Sequence, residues 1–281
     1  MTLNDFDRAS GVAICDISDP DDSRLDYFRD LNSIDRRPDL PSGKGLVIAE
    51  GVLVVQRMLA SPFAPLAFLG TDRRLAELKA DLAGNPAPYY RASAEVMAQV
   101  VGFHLNRGVL GAARREPERS LGQVLDGART VAVLEGVNDH ENLGAIFRNA
   151  AGLGVDAVVF GSGCADPLYR RAVRVSMGHV LLVPYARAAD WPADLKVLQQ
   201  MGFRLLAMTP SPDAASLPEA MATVRDERAA VLVGAEGPGL SRAVMQVSDQ
   251  RVRIPMSRGT DSLNVATAAA LAFYERVRLG T

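Results

Sequence analysis

Three short segments of this 281-residue chain concentrate residue types that can hold a ligand and act on it. They are Asn142-Leu-Gly-Ala-Ile-Phe-Arg148, Gly234-Ala-Glu-Gly-Pro-Gly239, and Ile254-Pro-Met followed by Asp261-Ser-Leu-Asn264. Each lies beside a predicted strand end or helix start, where backbone groups and short polar side chains can meet a ligand. The glycine-rich segment follows the apolar run Val231-Leu-Val233. Its three glycines and one proline form either a turn whose backbone presses against a flat ligand or simply a tight passage from strand to helix. Its spacing and late position differ from a dinucleotide-binding fingerprint, which disfavours a nucleotide-dependent oxidoreductase. In the last segment Ser262 reads equally well as a helix N-cap, with Asn264 a plain first-turn residue. Asn142 stands at the mouth of a helix, and Arg148 follows Ile146 and Phe147 in an otherwise apolar stretch. A guanidinium there requires a partner, such as Glu236, or a pocket.

The elements that must position these residues form a repeated strand-then-helix series. Predicted strands are Thr130–Leu134, Ala157–Phe160, Val180–Val183, Arg204–Met208, Ala230–Val233 and Val252–Pro255. Helices are expected from about Leu143, around Tyr169–Val175, over Trp191–Met201 and over Val265–Arg278. Continuous apolar strands alternating with helices specify an α/β domain with a mostly parallel sheet covered on both faces. Before it lies a smaller α/β unit, with strands at Leu46–Ala49, Leu66–Leu69 and Tyr89–Tyr90 and helices after each. The expected organisation is an acidic N-terminal arm over 1–22, a small domain over 23–108, a polar linker over 109–127 and a large domain over 128–281.

Taken in order, the three segments resemble the signature motifs of the SpoU (TrmH-type) branch of the SPOUT RNA methyltransferases, over roughly residues 128–281. The resemblance implies a C-terminal domain with a deep trefoil knot, S-adenosylmethionine as cofactor, and methyl transfer to a ribose 2'-hydroxyl of rRNA or tRNA. It implies that Gly234, Gly239, Ile254 and Leu263 line the cofactor pocket, with Thr209 as a further candidate. It assigns Arg148 to the ribose 2'-hydroxyl and places Asn142, Glu236, Ser262 and Asn264 at the catalytic centre. A guanidinium is a poor proton acceptor at neutral pH, so stabilisation of a developing alkoxide is the easier role for Arg148. The smaller unit resembles the L30e-like domain with which many of these enzymes grip RNA, through Ile48-Ala-Glu-Gly51 and Arg107-Gly-Val-Leu110. A homodimer is also implied. The alternative is a non-catalytic RNA-binding or ribosome-assembly protein that retains the fold.

Composition agrees with a large core and leaves the partner open. Hydrophobic residues make up 48% of the chain, and the formal net charge of -2 excludes a protein that coats nucleic acid by overall charge. Local arginine pairs can still meet phosphates, and Arg36, Arg37, Arg73, Arg74, Arg170 and Arg171 are the candidates. Each pair reads otherwise as solvated surface. The two cysteines, Cys15 and Cys164, and three scattered histidines group into no ligand set, so no metal is expected. No apolar run is long enough to span a bilayer, and the acidic start has no signal-peptide pattern, so a cytoplasmic protein is expected.

Overall fold

A computed structural model describes residues 6–7, 11–29, 31, 44–257 and 260–280. The chain forms two compact units, one from residues 1–116 and 168–182, the other from 117–167 and 183–281.

The first unit carries a six-stranded sheet in the order β1-β2-β5-β4-β6-β3. Its strands are β1 (Phe6–Asp7), β2 (Val12–Asp16), β3 (Leu46–Glu50), β4 (Pro65–Gly70), β5 (Tyr89–Arg91) and β6 (Val109–Arg114). Helices α1 (Val52–Leu59), α2 (Asp72–Leu78) and α3 (Ala94–Val101) follow β3, β4 and β5. Ser93 opens α3 by accepting the Val96 N–H, and Gly102 closes it in the left-handed conformation. Leu25, Phe28, Ile48, Leu69, Val100 and Leu110 fill one core of this unit.

Two boundaries differ from expectation. Val12–Asp16 lies within the expected arm but pairs in parallel with Tyr89–Arg91. Its short apolar run is tied down by a sheet partner more than seventy residues away, which local composition cannot reveal. Val109–Arg114 lies within the expected linker but is an inner strand, antiparallel to both β3 and β4. Its small residues hide its strand character, and they have a packing reason. A Cβ on Gly111 would meet Met58 and Phe68 side-chain atoms at 3.1 and 3.3 Å.

In the second unit every strand pair of the seven-stranded sheet is parallel, in the order β11-β13-β10-β12-β7-β8-β9. The strands are β7 (Thr130–Glu135), β8 (Ala157–Phe160), β9 (Tyr185–Arg187), β10 (Phe203–Met208), β11 (Ala215–Ser216), β12 (Arg228–Gly234) and β13 (Gln250–Arg253). Helices α4 (Leu121–Leu125), α5 (His140–Gly152), α6 (Leu195–Gln200), α7 (Leu217–Thr223), α8 (Arg242–Val247) and α9 (Val265–Gly280) complete the unit. Strands β7 and β8 are buried at every residue, as a sheet sandwiched between helices requires. The expected strand at Val180–Val183 is absent. His179–Leu181 is a 3-10 turn in the first unit, entered through Gly178 at φ 85°, and the strand beside β8 is Tyr185–Arg187. A four-residue apolar run fits either state, and flanking geometry decided it.

Candidate active site

The carboxyl ends of β10, β12 and β13 converge on one cavity of about 360 Å³ in the second unit. Thr209, Gly234, Gly239, Ile254, Leu263 and Ser262 all line it, as do Glu236 and Asn264. The apolar part of the wall includes Met208, Val233, Met256 and Ala268, none of which stood out in the sequence. A methionine, valine or alanine at a strand end reads as core until the cavity beside it is known.

The glycine-rich loop folds back on itself. The Gly239 N–H donates to the Ala235 carbonyl at 3.0 Å, closing an isolated bridge between the two residues. A Cβ on Gly234 would lie 2.2 Å from the Gly239 carbonyl carbon and the Leu240 nitrogen. Glycine is therefore required at 234 by the loop's own backbone, before any ligand is considered. Gly237 and Gly239 have φ of 87° and 71°, a region that side-chain-bearing residues rarely adopt.

Three side chains from the three sequence segments meet at the edge of this loop. The Asn142 Nδ2–H donates to Glu236 Oε1 at 3.0 Å. Asn264 Nδ2 donates to the same oxygen at 2.9 Å and to Asn142 Oδ1 at 2.7 Å. Helix geometry fixes both amides. Asp139 caps α5 by accepting the Glu141 and Asn142 N–H groups, which sets the first turn carrying Asn142. Asn264 Oδ1 accepts the Ala266 and Thr267 N–H groups at 3.0 and 3.2 Å. Asn264, not Ser262, is thus the N-cap of α9. With its oxygen committed to the helix, its NH₂ group can only point at Asn142 and Glu236.

Arg148 lies elsewhere. It is exposed on α5, while Leu143, Ile146, Phe147 and Ala150 form the buried face of that helix. Glu236 is engaged by the two asparagines, and among the described residues no ion pair or hydrogen bond of Arg148 is found. The expected burial of its charge is therefore corrected: the guanidinium points away from the apolar face and needs no partner to be stable. It is not among the residues lining the cavity.

The arginine pairs divide. Arg36 and Arg37 lie outside the described residues. Arg73 and Arg74 both pair with Glu77, at 3.2 and 2.6 Å. Arg170 pairs at 3.2 Å with the buried Glu50 and stacks over Phe103, and Arg171 is exposed in the same turn of helix. Cys164 donates to the Leu134 carbonyl at 3.2 Å, and burial pushes its thiol up, away from the nucleophilic thiolate.

The second unit contains almost all of a region matched by a family model described as the SpoU rRNA Methylase family, over residues 129–274. An uncharacterized tRNA/rRNA methyltransferase of Mycobacterium bovis is 78% identical over 270 residues, covering 96% of this chain and 94% of its own length. The 23S rRNA (guanosine-2'-O-)-methyltransferase RlmB of Bordetella pertussis is 35% identical over 181 residues, covering 62% of this chain and 71% of its own. The AdoMet-bound rRNA methyltransferase from Sinorhizobium meliloti aligns structurally with a TM-score of 0.76 at 21% identity, covering 94% of this chain and 98% of that one. That last likeness is one of fold.

Proposed function

The chain belongs to the SpoU rRNA methylase family, and from that premise we propose that it transfers a methyl group from S-adenosylmethionine to a ribose 2'-hydroxyl of rRNA or tRNA. The observation that carries the proposal is the meeting of Asn142, Glu236 and Asn264 at the rim of the glycine-loop cavity. Three distant segments spend their polar groups on one another at the edge of an apolar cleft. A purely structural role would require no cavity beside them.

The cavity fits the cofactor on its own terms. Its volume lies in the range of about 300–1,000 Å³ usual for small-ligand sites, and it joins an apolar wall to a backbone-rich loop. Ile254, Leu263 and Met256 offer a slot for a flat base, while the loop from Gly234 to Gly239 offers backbone groups to polar ends of the ligand. When bound, S-adenosylmethionine supplies an activated methyl group on its sulfonium. The chain's own task is then orientation and charge. Asn142 and Asn264 hold Glu236 in one rotamer, and Ser262 presents a hydroxyl to the substrate side. Arg148, exposed on the helix whose first turn carries Asn142, meets the ribose 2'-oxygen and steadies the charge that develops there. Its guanidinium stays protonated, so the hydroxyl proton leaves to water or to an RNA phosphate.

The reading extends to the rest of the protein. The first unit is assigned to RNA selection, with Arg73, Arg74 and Arg171 on its phosphate-facing surface and Arg36 and Arg37 added from the sequence, while Arg170 is engaged by Glu50 and Phe103. A homodimer is supported by Leu271, Tyr274 and Val277, which leave an apolar strip exposed on α9. The same reading includes a trefoil knot and a cytoplasmic location, both carried over from the resemblance alone. Among the described residues no helix is long and apolar enough to cross a membrane. Mapping 2'-O-methyl groups in total RNA from a deletion strain and its parent tests the proposal and names the substrate. One or more sites present only in the parent are expected; identical maps would refute it.

A further inference from the structure

We infer that Glu135 is the positioning residue of the cofactor loop, holding both of its ends in register through one buried carboxylate. This rests on the cofactor reading above. Glu135 is the last residue of β7 and only 8% exposed, one of two buried glutamates among the described residues. Its backbone pairs with Gly234, the first residue of the loop. Its carboxylate reaches the other end: Oε2 accepts the Ser241 backbone N–H at 2.6 Å. Ser241 is the N-cap of α8, so the negative charge also meets the orphan N–H end of a helix. The loop over residues 235–240 is thereby strung between two points that Glu135 fixes.

The second carboxylate oxygen is held as firmly. Trp191 Nε1–H donates to Oε1 at 2.7 Å, and its indole fills the space above Gly161, where a Cβ would fall 2.5 Å from the ring. With Oε1 occupied by the indole, the carboxylate cannot rotate away from Ser241. The next residue adds a spacer, since a Cβ on Gly136 would lie 3.0 Å from the Ala235 Cβ. Buried carboxylates are costly unless fully hydrogen-bonded, and each oxygen of Glu135 has a donor, from Ser241 and from Trp191. What this arrangement sets is the separation of Gly234 and Gly239, both of which line the cavity.

Glu135→Gln keeps the volume but turns one acceptor into a donor facing an N–H group. Amide hydrogen exchange of the cofactor-free protein and titration with S-adenosylmethionine test the inference together. In E135Q, exchange across 235–241 is expected to quicken at least tenfold, confined to that loop. Affinity should fall about tenfold, with kcat at saturating cofactor within threefold of the parent. Trp191→Phe, which frees Oε1 without touching Ser241, should do the same more weakly, about threefold in affinity. If E135Q does not fold, W191F carries the test with the same loop-confined exchange and weaker binding. Unchanged loop exchange, exchange raised throughout the unit, or a loosened loop with unchanged affinity would overturn the inference. A parent protein that binds no S-adenosylmethionine would refute the cofactor reading and this inference with it. The exchange experiment, which needs no cofactor, keeps that failure distinct from a failure of Glu135 alone.

Discussion

At Asn264 two demands fall on one side chain, and they can be separated chemically. Its oxygen caps α9, while its NH₂ group holds Asn142 and Glu236. Aspartate is as good an N-cap as asparagine but has no donor to offer Glu236. Asn264→Asp is therefore expected to melt close to the parent yet lose at least 30-fold in methyl transfer, as two carboxylates face each other. Asn264→Ala loses the cap as well, a cost of about 1 kcal/mol in stability. An active N264D enzyme would show that the triangle is only a helix fastening. Arg148 makes the complementary case. Because it is exposed and outside the cavity lining, Arg148→Ala should leave the melting temperature and cofactor affinity unchanged while methyl transfer falls at least 100-fold. Arg148→Lys keeps a charge without the planar fork and should rescue little. Full activity in R148A, measured as single-turnover transfer to RNA, would remove the arginine from the mechanism.

The closing helix α9 is both a wall of the site and an anchor of the second unit. Arg276, 7% exposed, donates from Nε to Thr130 Oγ1 at 3.2 Å and from its other nitrogens to the Val224, Arg225 and Glu227 carbonyls. Arg276→Met keeps much of the packing but leaves buried carbonyls without donors, so stability should drop by about 2–4 kcal/mol. Denaturant melts should register that loss with a slope near the parent's, and a change below about 0.5 kcal/mol would mean that water replaces the guanidinium. Such elements were legible in the sequence where one residue run explains itself. Thr130–Glu135, Phe203–Met208 and Val265–Gly280 are long and apolar, with clear ends. Val12–Asp16 and Val109–Arg114 were not, because the first is defined by a distant partner and the second by small residues chosen for close packing. The site shows the same division. Asn142, Glu236 and Asn264 were singled out only by the family resemblance of their segments, and their mutual hydrogen bonds exist only after folding. Glu135 carried no sign of its role, since nothing local signals Trp191 or Ser241.

At the level of the whole molecule, RNA binding and self-association depend on surface charge and exposed apolar area. Glu77 neutralises part of the Arg73–Arg74 pair, so its surplus charge is smaller than the sequence suggests. Replacing both arginines by glutamine should weaken RNA binding and lower the slope of log K against log salt by about 0.7–1.8, the change expected for one or two lost phosphate contacts. An unchanged slope would return the pair to ordinary surface. Tyr274 is 53% exposed in the apolar strip of α9, and Tyr274→Asp should shift light-scattering mass from dimer toward monomer. The chemistry proposed for this fold is methylation of a ribose oxygen of RNA. Its most direct measurement incubates the purified protein with methyl-labelled S-adenosylmethionine and RNA from a strain lacking the gene, then digests the RNA to nucleosides. Label is expected in 2'-O-methylnucleosides and not in methylated bases, with at least 100-fold less in R148A and at least 30-fold less in N264D. Label on a base, or no label in RNA that the protein binds, would contradict it.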